Sequence, residues 1–411
     1  MFAPSAKHDI TARAITTMEL DQHFDVLCQA FQLDRQLAYP IFKQDPFFDL
    51  LHKRALFHDR RMVSVLTLIP SGLRLHAPNP LSFSAVVGVG TPPTRRGRGY
   101  ASTLIGETLR SIAREFHCPI AALECDRPDY YRRFGFERCS TVYEWDAPPS
   151  ALPGHEGTAH VAQLTPDQAA VVSQQVHHLH AITEDRSPGA FQRDGRRWKA
   201  IETLTANRRL AVVLRDGKVD AYMAFHVDTS EPAGAIIVHE IVCQNNDDGK
   251  AMIGFLSQQY NVARIHAQMS GTQFRELGLE GLAGLNLGLT DGIMLRIVDL
   301  PAVIAAYSQS PHWSDSISEL KSDLTIRVED RAAQEQTVEV RISGSEIECD
   351  KTDDNCIAGD IGALTQMIVG YASASSLIEL GRIRTSSPQC LEFAEALFPP
   401  TDIFLGFADR F

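Results

Sequence analysis

The chain has 411 residues, 44% hydrophobic and 22% charged, with a formal net charge of −12. Such a length suggests two to four domains, and the composition is that of an ordinary soluble globular protein. No apolar run reaches about 18 residues, which speaks against a membrane span, and the acidic balance speaks against nucleic acid as a general partner. The N-terminus, Met1-Phe-Ala-Pro-Ser-Ala-Lys-His-Asp, lacks the basic start and apolar core of a signal peptide. Eight cysteines are scattered with no C-x-x-C pair, so reduced, buried thiols and no zinc are expected. Together these features predict a cytoplasmic protein.

In chain order, a first part up to about residue 149 reads as a helix over 18–33 and strands over 62–69, 73–77 and 82–90. The apolar run from Phe83 to Val89 stops at Pro92-Pro93; Arg95, Arg96, Gly97, Arg98 and Gly99 follow, and then a helix begins. Strand, glycine-rich turn and helix N-terminus make an anion site, because free N–H groups and the helix dipole face outward there. Gly97 and Gly99 allow close backbone approach, and the expected ligand is a pyrophosphate. The dinucleotide pattern G-x-G-x-x-G fails at Pro93, and the G-x-x-x-x-G-K-[ST] loop has no Lys-Ser or Lys-Thr here. Leu104, Ile105, Leu109, Ile112 and Phe116 share one face of the helix that follows. A buried strand over 119–125 leads to Asp129-Tyr-Tyr-Arg-Arg-Phe-Gly-Phe136.

Pro148-Pro149-Ser150 and Pro153-Gly154 mark a linker. The second part, 150–292, predicts helices over 166–180 and 195–203. Strands over 209–215, 219–227 and 235–242 follow, then a helix over 249–260 and a strand over 263–269. That order repeats the first part, but Val242-Cys-Gln-Asn-Asn-Asp-Asp-Gly249 is acidic where arginines should be. The third part, 293–411, predicts strands over 323–329, 336–342 and 345–350 with a helix over 360–371. His177-His-Leu-His180 is expected to be a solvated helix end rather than a metal site, since no second ligand cluster is visible. Asp247-Asp248 and Asp353-Asp354 read as turns. No G-x-S-x-G elbow occurs, and Cys125 reads as a small buried hydrophobe.

Several of these motifs carry a resemblance. Arg96-Gly-Arg-Gly99-Tyr-Ala101, as R-x-x-G-x-A, resembles the acetyl-CoA signature of the GNAT N-acetyltransferases, and Tyr131-x-x-x-Gly135-Phe136 resembles their Y-x-x-x-G-F element. Arg186-Ser-Pro-Gly189 with Arg193 and Trp198, Met294 to Pro301, Gly370 to Ile383, and the aromatic ending Phe404-Leu-Gly-Phe-Ala-Asp-Arg-Phe411 resemble the enhanced intracellular survival (Eis) subfamily across the whole chain. The implied fold is α/β (α+β). Tandem GNAT-like domains with mixed, splayed central sheets span 1–149 and 150–292, the second lacking the cofactor loop. A sterol-carrier-like α+β domain then spans 293–411.

The resemblance implies direct transfer of acetyl from acetyl-CoA to a primary amine, with no metal. The backbone of Val87 and Val89 would pair with the pantetheine arm. Arg95, Arg96, Gly97, Arg98, Gly99, Tyr100 and Ala101 would hold the pyrophosphate. Tyr131 would protonate the leaving thiolate, since a phenol with a pKa of about 10 is protonated at neutral pH. The Phe411 carboxylate would be the base. Its ordinary pKa of about 3.5 is low for that task, and burial among Phe404, Phe407 and Phe411 would raise it. Phe31, Asp34 and Asp409 would line the acceptor pocket. Family members place acids near the terminal Phe, whereas Arg410 is penultimate here. Three functions follow in order of fit: acetylation of polycationic small molecules such as aminoglycosides, acetylation of lysines on peptides or proteins, and non-catalytic acyl-CoA or lipid binding. A homo-oligomer, trimer or hexamer, is implied with them.

Overall fold

The computed structural model describes residues 9–410 apart from 156, 205–206, 231–232, 260, 321–323, 331–335, 344–345 and 350–354. The Asp353-Asp354 turn and Phe411 expected from the sequence lie outside the described residues.

Among the described residues, three mixed sheets organise the fold. The first runs Ile10–Ala14, Lys53–His58, Arg61–Leu73, Leu81–Gly90, Ile120–Leu123, Met294–Ile297, Glu137–Arg138. The second runs Asn286–Asp291, Thr141–Ala147, Arg264–Met269, Ala235–Cys243, Lys218–Asp228, Arg209–Arg215, Val161–Gln163. A five-stranded third sheet runs Glu346–Cys349, Gln336–Ser343, Leu324–Asp330, Cys356–Asp360, Ile383–Thr385. The expected strand over 73–77 is not separate. Leu73 ends the long Arg61–Leu73 strand, and Arg74 then exchanges backbone bonds with Gly189 and Ala190 of the link between the first two sheets.

Strand pairing crosses the sequence boundaries in both directions. Thr141–Ala147 leaves the first sheet to pair with Arg264–Met269 and Asn286–Asp291. Met294–Ile297 returns to fill the first sheet between Ile120–Leu123 and Glu137–Arg138. The second sheet is thus completed by a strand from the first part of the chain and the first sheet by a strand from the third, and neither could separate without breaking backbone ladders.

One core is continuous from the first sheet into the third domain. Phe83, Ala85, Ile120, Leu295 and Ile297 pack with Val303, Tyr307, Trp313, Leu364, Phe393 and Leu405. The opposite face of the first sheet carries the helix Tyr100–Arg114, whose Leu104, Ile105, Leu109 and Ile112 are buried at helical spacing. Each such side chain contributes roughly 1.5–3 kcal/mol by burial, which locks the helix chiefly against the Lys53–His58 and Arg61–Leu73 strands. His177 and His180 are not a solvated helix end. They pack on Trp198, with ring centroids 4.0 and 5.4 Å away.

Buried histidines set an acid limit on stability. Burial pushes His23, His180 and His239 each down to about 4, against about 6.5 in an unfolded chain. The unfolded state takes up protons first, so their contribution is lost as pH falls from about 6.5 towards 4. Glu184 has the opposite sign. Burial raises it to about 7, so its contribution is present below about 4.5 and is lost as pH rises through 7. His52, His76 and His177 are lowered by burial in the same direction, and Glu124 is raised like Glu184; the histidines outnumber the raised acids, so Tm should fall on acidification from pH 6.5 to 4.5. A level or rising Tm across that interval in thermal denaturation would contradict it.

Candidate active site

The first sheet opens where the cofactor loop begins. Leu81–Gly90 pairs in parallel with Ile120–Leu123 only at Phe83, Ser84 and Ala85. From Val86 onward that edge diverges from its neighbour. On the other side the register with Arg61–Leu73 slips between Val65 and Thr67, and Gly88 has a φ of +61°. The bulge turns the strand end away, leaving Val87 and Val89 on the open edge of a cleft of about 800 Å³.

The loop from Thr91 to Gly99 closes one end of that cleft. Gly97 and Gly99 take φ of +76° and +79°, and a Cβ at either would have nothing within 4 Å. The glycines therefore serve the backbone turn and leave open space in front of the helix N-terminus, where Gly99 is the cap. Not every arginine faces that space. Arg95 donates to the Met62 carbonyl at 2.5 Å, and Arg96 donates to the carbonyls of Thr91 and Ala30 at 3.1 and 2.9 Å. Their guanidinium groups brace the loop. Tyr100 is buried, its hydroxyl 2.6 Å from His58 Nδ1, so it offers its backbone to the cleft. Ala101 begins the helix beside it, and Arg98 is exposed at the rim.

Tyr131 lines the same cleft from the short helix Pro128–Arg132. It packs edge-on against Tyr130 and Phe136, at 5.0 and 6.3 Å between centroids. Burial pushes its phenol up to about 12, with Cys125 and Tyr130 nearby adding to the effect. Tyr130 points along the cleft towards Ser102, 3.4 Å away, and Arg133 donates to that Ser102 hydroxyl at 2.5 Å. Gly135 explains the glycine of the Y-x-x-x-G-F element. It has a φ of +79°, and a Cβ there would lie 2.1 Å from Arg296 and 2.4 Å from Ile361. The Gly135→Ala variant should lose about 2–4 kcal/mol through backbone strain and overpacking. Denaturant titration checks this; an unchanged midpoint would mean that Arg296 and Ile361 move aside freely.

The acceptor residues expected from the sequence divide. Phe31 lines the cleft and is 48% exposed. Asp34 is not among the lining residues: its Oδ1 caps the helix Arg35–Gln44, accepting from the Gln36 and Leu37 N–H groups at 2.8 and 3.2 Å. Asp409 also lies away from this cleft, both of its oxygens 2.7 Å from Arg193. Phe411 lies outside the described residues. Glu124 belongs to none of the sequence motifs. It directly follows the Ile120–Leu123 strand, lines the cleft with Asp126 and Tyr131, and has a side chain 31% exposed. Burial raises its carboxyl above the usual range, and Arg410, whose Nε lies 3.5 Å away, opposes that rise. An acid at the C-terminal end of the strand next to the glycine loop was the available signal.

Open strand edge, glycine loop and Tyr131 thus line one cleft. Residues 11–139 match the family described as acetyltransferase (GNAT) domain, residues 189–278 match a second acetyltransferase (GNAT) domain family, and residues 300–406 match the sterol carrier protein domain. The chain is a GNAT-type N-acetyltransferase built from two GNAT domains and a sterol carrier domain. A Streptomyces griseus protein described as an uncharacterized N-acetyltransferase is 22% identical over 378 residues, covering 85% of this chain and 87% of the relative. Among solved structures, a GCN5-related N-acetyltransferase from Anabaena variabilis superposes with a TM-score of 0.78 at 16% identity, over 96% of this chain and 98% of that one. Eis1 from Mycobacterium abscessus superposes with a TM-score of 0.76 at 19% identity, over 98% of this chain and 100% of that one. At those identities the likeness is one of fold. No helix of the described residues is long and apolar enough to cross a membrane.

Proposed function

We propose that the protein moves acetyl from acetyl-CoA directly to a primary amine, as an Eis-type enzyme. The observation that carries this reading is the joining of the open strand edge, the glycine loop and Tyr131 along one cleft of about 800 Å³. Val87 and Val89 would hold the pantetheine arm by backbone bonds. The N–H groups from Arg96 to Ala101 would hold the pyrophosphate, with Arg98 adding charge at the rim. The space that the glycines leave in front of the helix fits that group.

The amine nitrogen attacks the thioester carbonyl once its ammonium proton has passed to a base. The C–N bond forms, the C–S bond breaks, and Tyr131 protonates the departing thiolate; the second proton that the nitrogen sheds as the amide forms restores the Tyr131 phenol. For the base, the resemblance assigns the Phe411 carboxylate. A second candidate is Glu124, which lines the cleft with Tyr131 and whose carboxyl is raised by burial above the usual range. Glu124→Gln separates the two: a large fall in kcat with unchanged acetyl-CoA affinity assigns the base to Glu124.

The acceptor class rests on charge. A polycation such as an aminoglycoside needs several acids at the acceptor end. Asp34 is occupied as a helix cap, Asp409 is paired with Arg193, and Arg410 stands against Glu124. This arrangement favours monoamines and peptide lysines over polycations. Thiol release from acetyl-CoA, measured with kanamycin, spermidine, a simple alkylamine and a lysine peptide, tests the proposal. No release above hydrolysis with any of the four would overturn it, and kanamycin as the best substrate would reverse the order.

A further inference from the structure

The second GNAT domain repeats the open cleft of the first. Ala235–Cys243 pairs in parallel with Arg264–Met269 only over Ala235 to Val238. The register with Lys218–Asp228 then slips at His239, between the Ala224–Glu240 and Phe225–Val238 pairs. Splay and bulge thus recur in the same part of the fold. The pyrophosphate loop does not. The helix Asn246–Ser257 starts almost at once, capped by Asn245, with Asp247 and Asp248 in its first turn and Asp248 ion-paired to Arg215. Capped N–H groups and two acids are a poor seat for a pyrophosphate.

The protein's own 400–410 segment lies along that second cleft, which measures about 630 Å³. Asp402 accepts from the Thr272 N–H at 2.7 Å. The segment crosses Gly189, where a Cβ would meet the Asp402 carbonyl oxygen at 2.4 Å. The Phe407 ring lies 4.7 Å from that of His239, the bulged residue. Asp409 binds Arg193 through both oxygens at 2.7 Å, and Arg193 in turn donates to Glu240 at 2.6 Å. Glu240 also accepts from Arg208 at 2.7 Å. Beyond this clamp Arg410 reaches Gln268 on the other strand of the splay at 2.8 Å and Glu124 of the first cleft at 3.5 Å.

We infer that the second domain's cofactor cleft has become a seat for the 400–410 segment, and that Arg193, through Asp409, positions this segment against the acceptor end of the first cleft. Arg193 is a positioning residue: it touches neither cleft wall of the first domain, yet it fixes the residue next to Arg410. A bidentate Arg–carboxylate pair with a second carboxylate behind it suits that task, since it sets direction as well as distance. The inference rests on the proposed acetyl transfer for its kinetic consequence and not for its structural one.

Calorimetry should find one acetyl-CoA per chain; two per chain would overturn the seat. Asp409→Asn keeps the shape and removes the charge. Amide hydrogen exchange over 402–409 should then quicken about tenfold or more. The acceptor KM, for whichever amine of the panel turns over, should rise about tenfold with acetyl-CoA Kd within about twofold. Phe407→Leu, at a half-exposed ring, should act in the same direction if the asparagine variant fails to fold. Arg215→Met, which breaks the Asp248 pair in the same domain away from the segment, should leave exchange over 402–409 and the acceptor KM unchanged. Wild-type exchange and KM in both the Asp409 and the Phe407 variants would overturn the inference. A wild-type protein that neither binds acetyl-CoA nor releases thiol would instead sink the proposed function, while the exchange result still decides the seat.

Discussion

Replacing Tyr131 by phenylalanine should lower kcat by about 10²- to 10⁴-fold, the range for loss of a general acid, while acetyl-CoA binds as before. The ring and its edge-on contacts with Tyr130 and Phe136 survive the change, so packing is kept and only the proton donor goes. Burial gives this prediction a second part. With the phenol pushed up to about 12, its acid form persists well below that pH. The kcat profile of the wild type should therefore show a single rising limb, from the base, and no falling limb below about pH 10. Stopped assays of both proteins between pH 6 and 10 measure both parts. A phenylalanine variant within about twofold of wild type would return Tyr131 to a packing role.

The Gly99→Glu variant should lose at least about 100-fold in acetyl-CoA affinity, equivalent to about 2.7 kcal/mol. A Cβ at Gly99 would have nothing within 4 Å, so the glutamate side chain starts into open space. It puts a carboxylate where the pyrophosphate charge belongs, at the start of the Tyr100–Arg114 helix. The positive φ costs roughly 1–2 kcal/mol of stability by itself. Gly99→Ala carries that backbone cost without the charge and should bind acetyl-CoA within about tenfold of wild type. Calorimetry on the two variants separates the terms, and equal losses would assign the effect to backbone strain alone.

Much of this protein is local and was legible in the residue order. The Arg209–Arg215 strand, the helix Gly195–Leu204 and the helix Tyr100–Arg114 follow from β-branched runs, caps and apolar spacing within a few residues. The glycine loop was legible because positive φ and a helix start are properties of short segments. The Asn245 cap of the helix Asn246–Ser257 is a feature of the same short-range kind.

Only tertiary structure decided what depends on distant partners. The exchange of Thr141–Ala147 and Met294–Ile297 between sheets joins residues more than a hundred positions apart, and no local pattern encodes which sheet an apolar strand completes. The loop arginines looked alike in sequence, but Arg95 and Arg96 are drawn to the carbonyls of Met62 and Ala30, while Arg98 stays at the rim. Asp409 is held by Arg193, 216 positions earlier, a partner that no local pattern names. His180 met Trp198, and Glu124 met Arg410, in the same way. Backbone preference is set by a residue and its neighbours. The ionisation, exposure and direction of a side chain are set by whatever folding brings within a few ångströms of it.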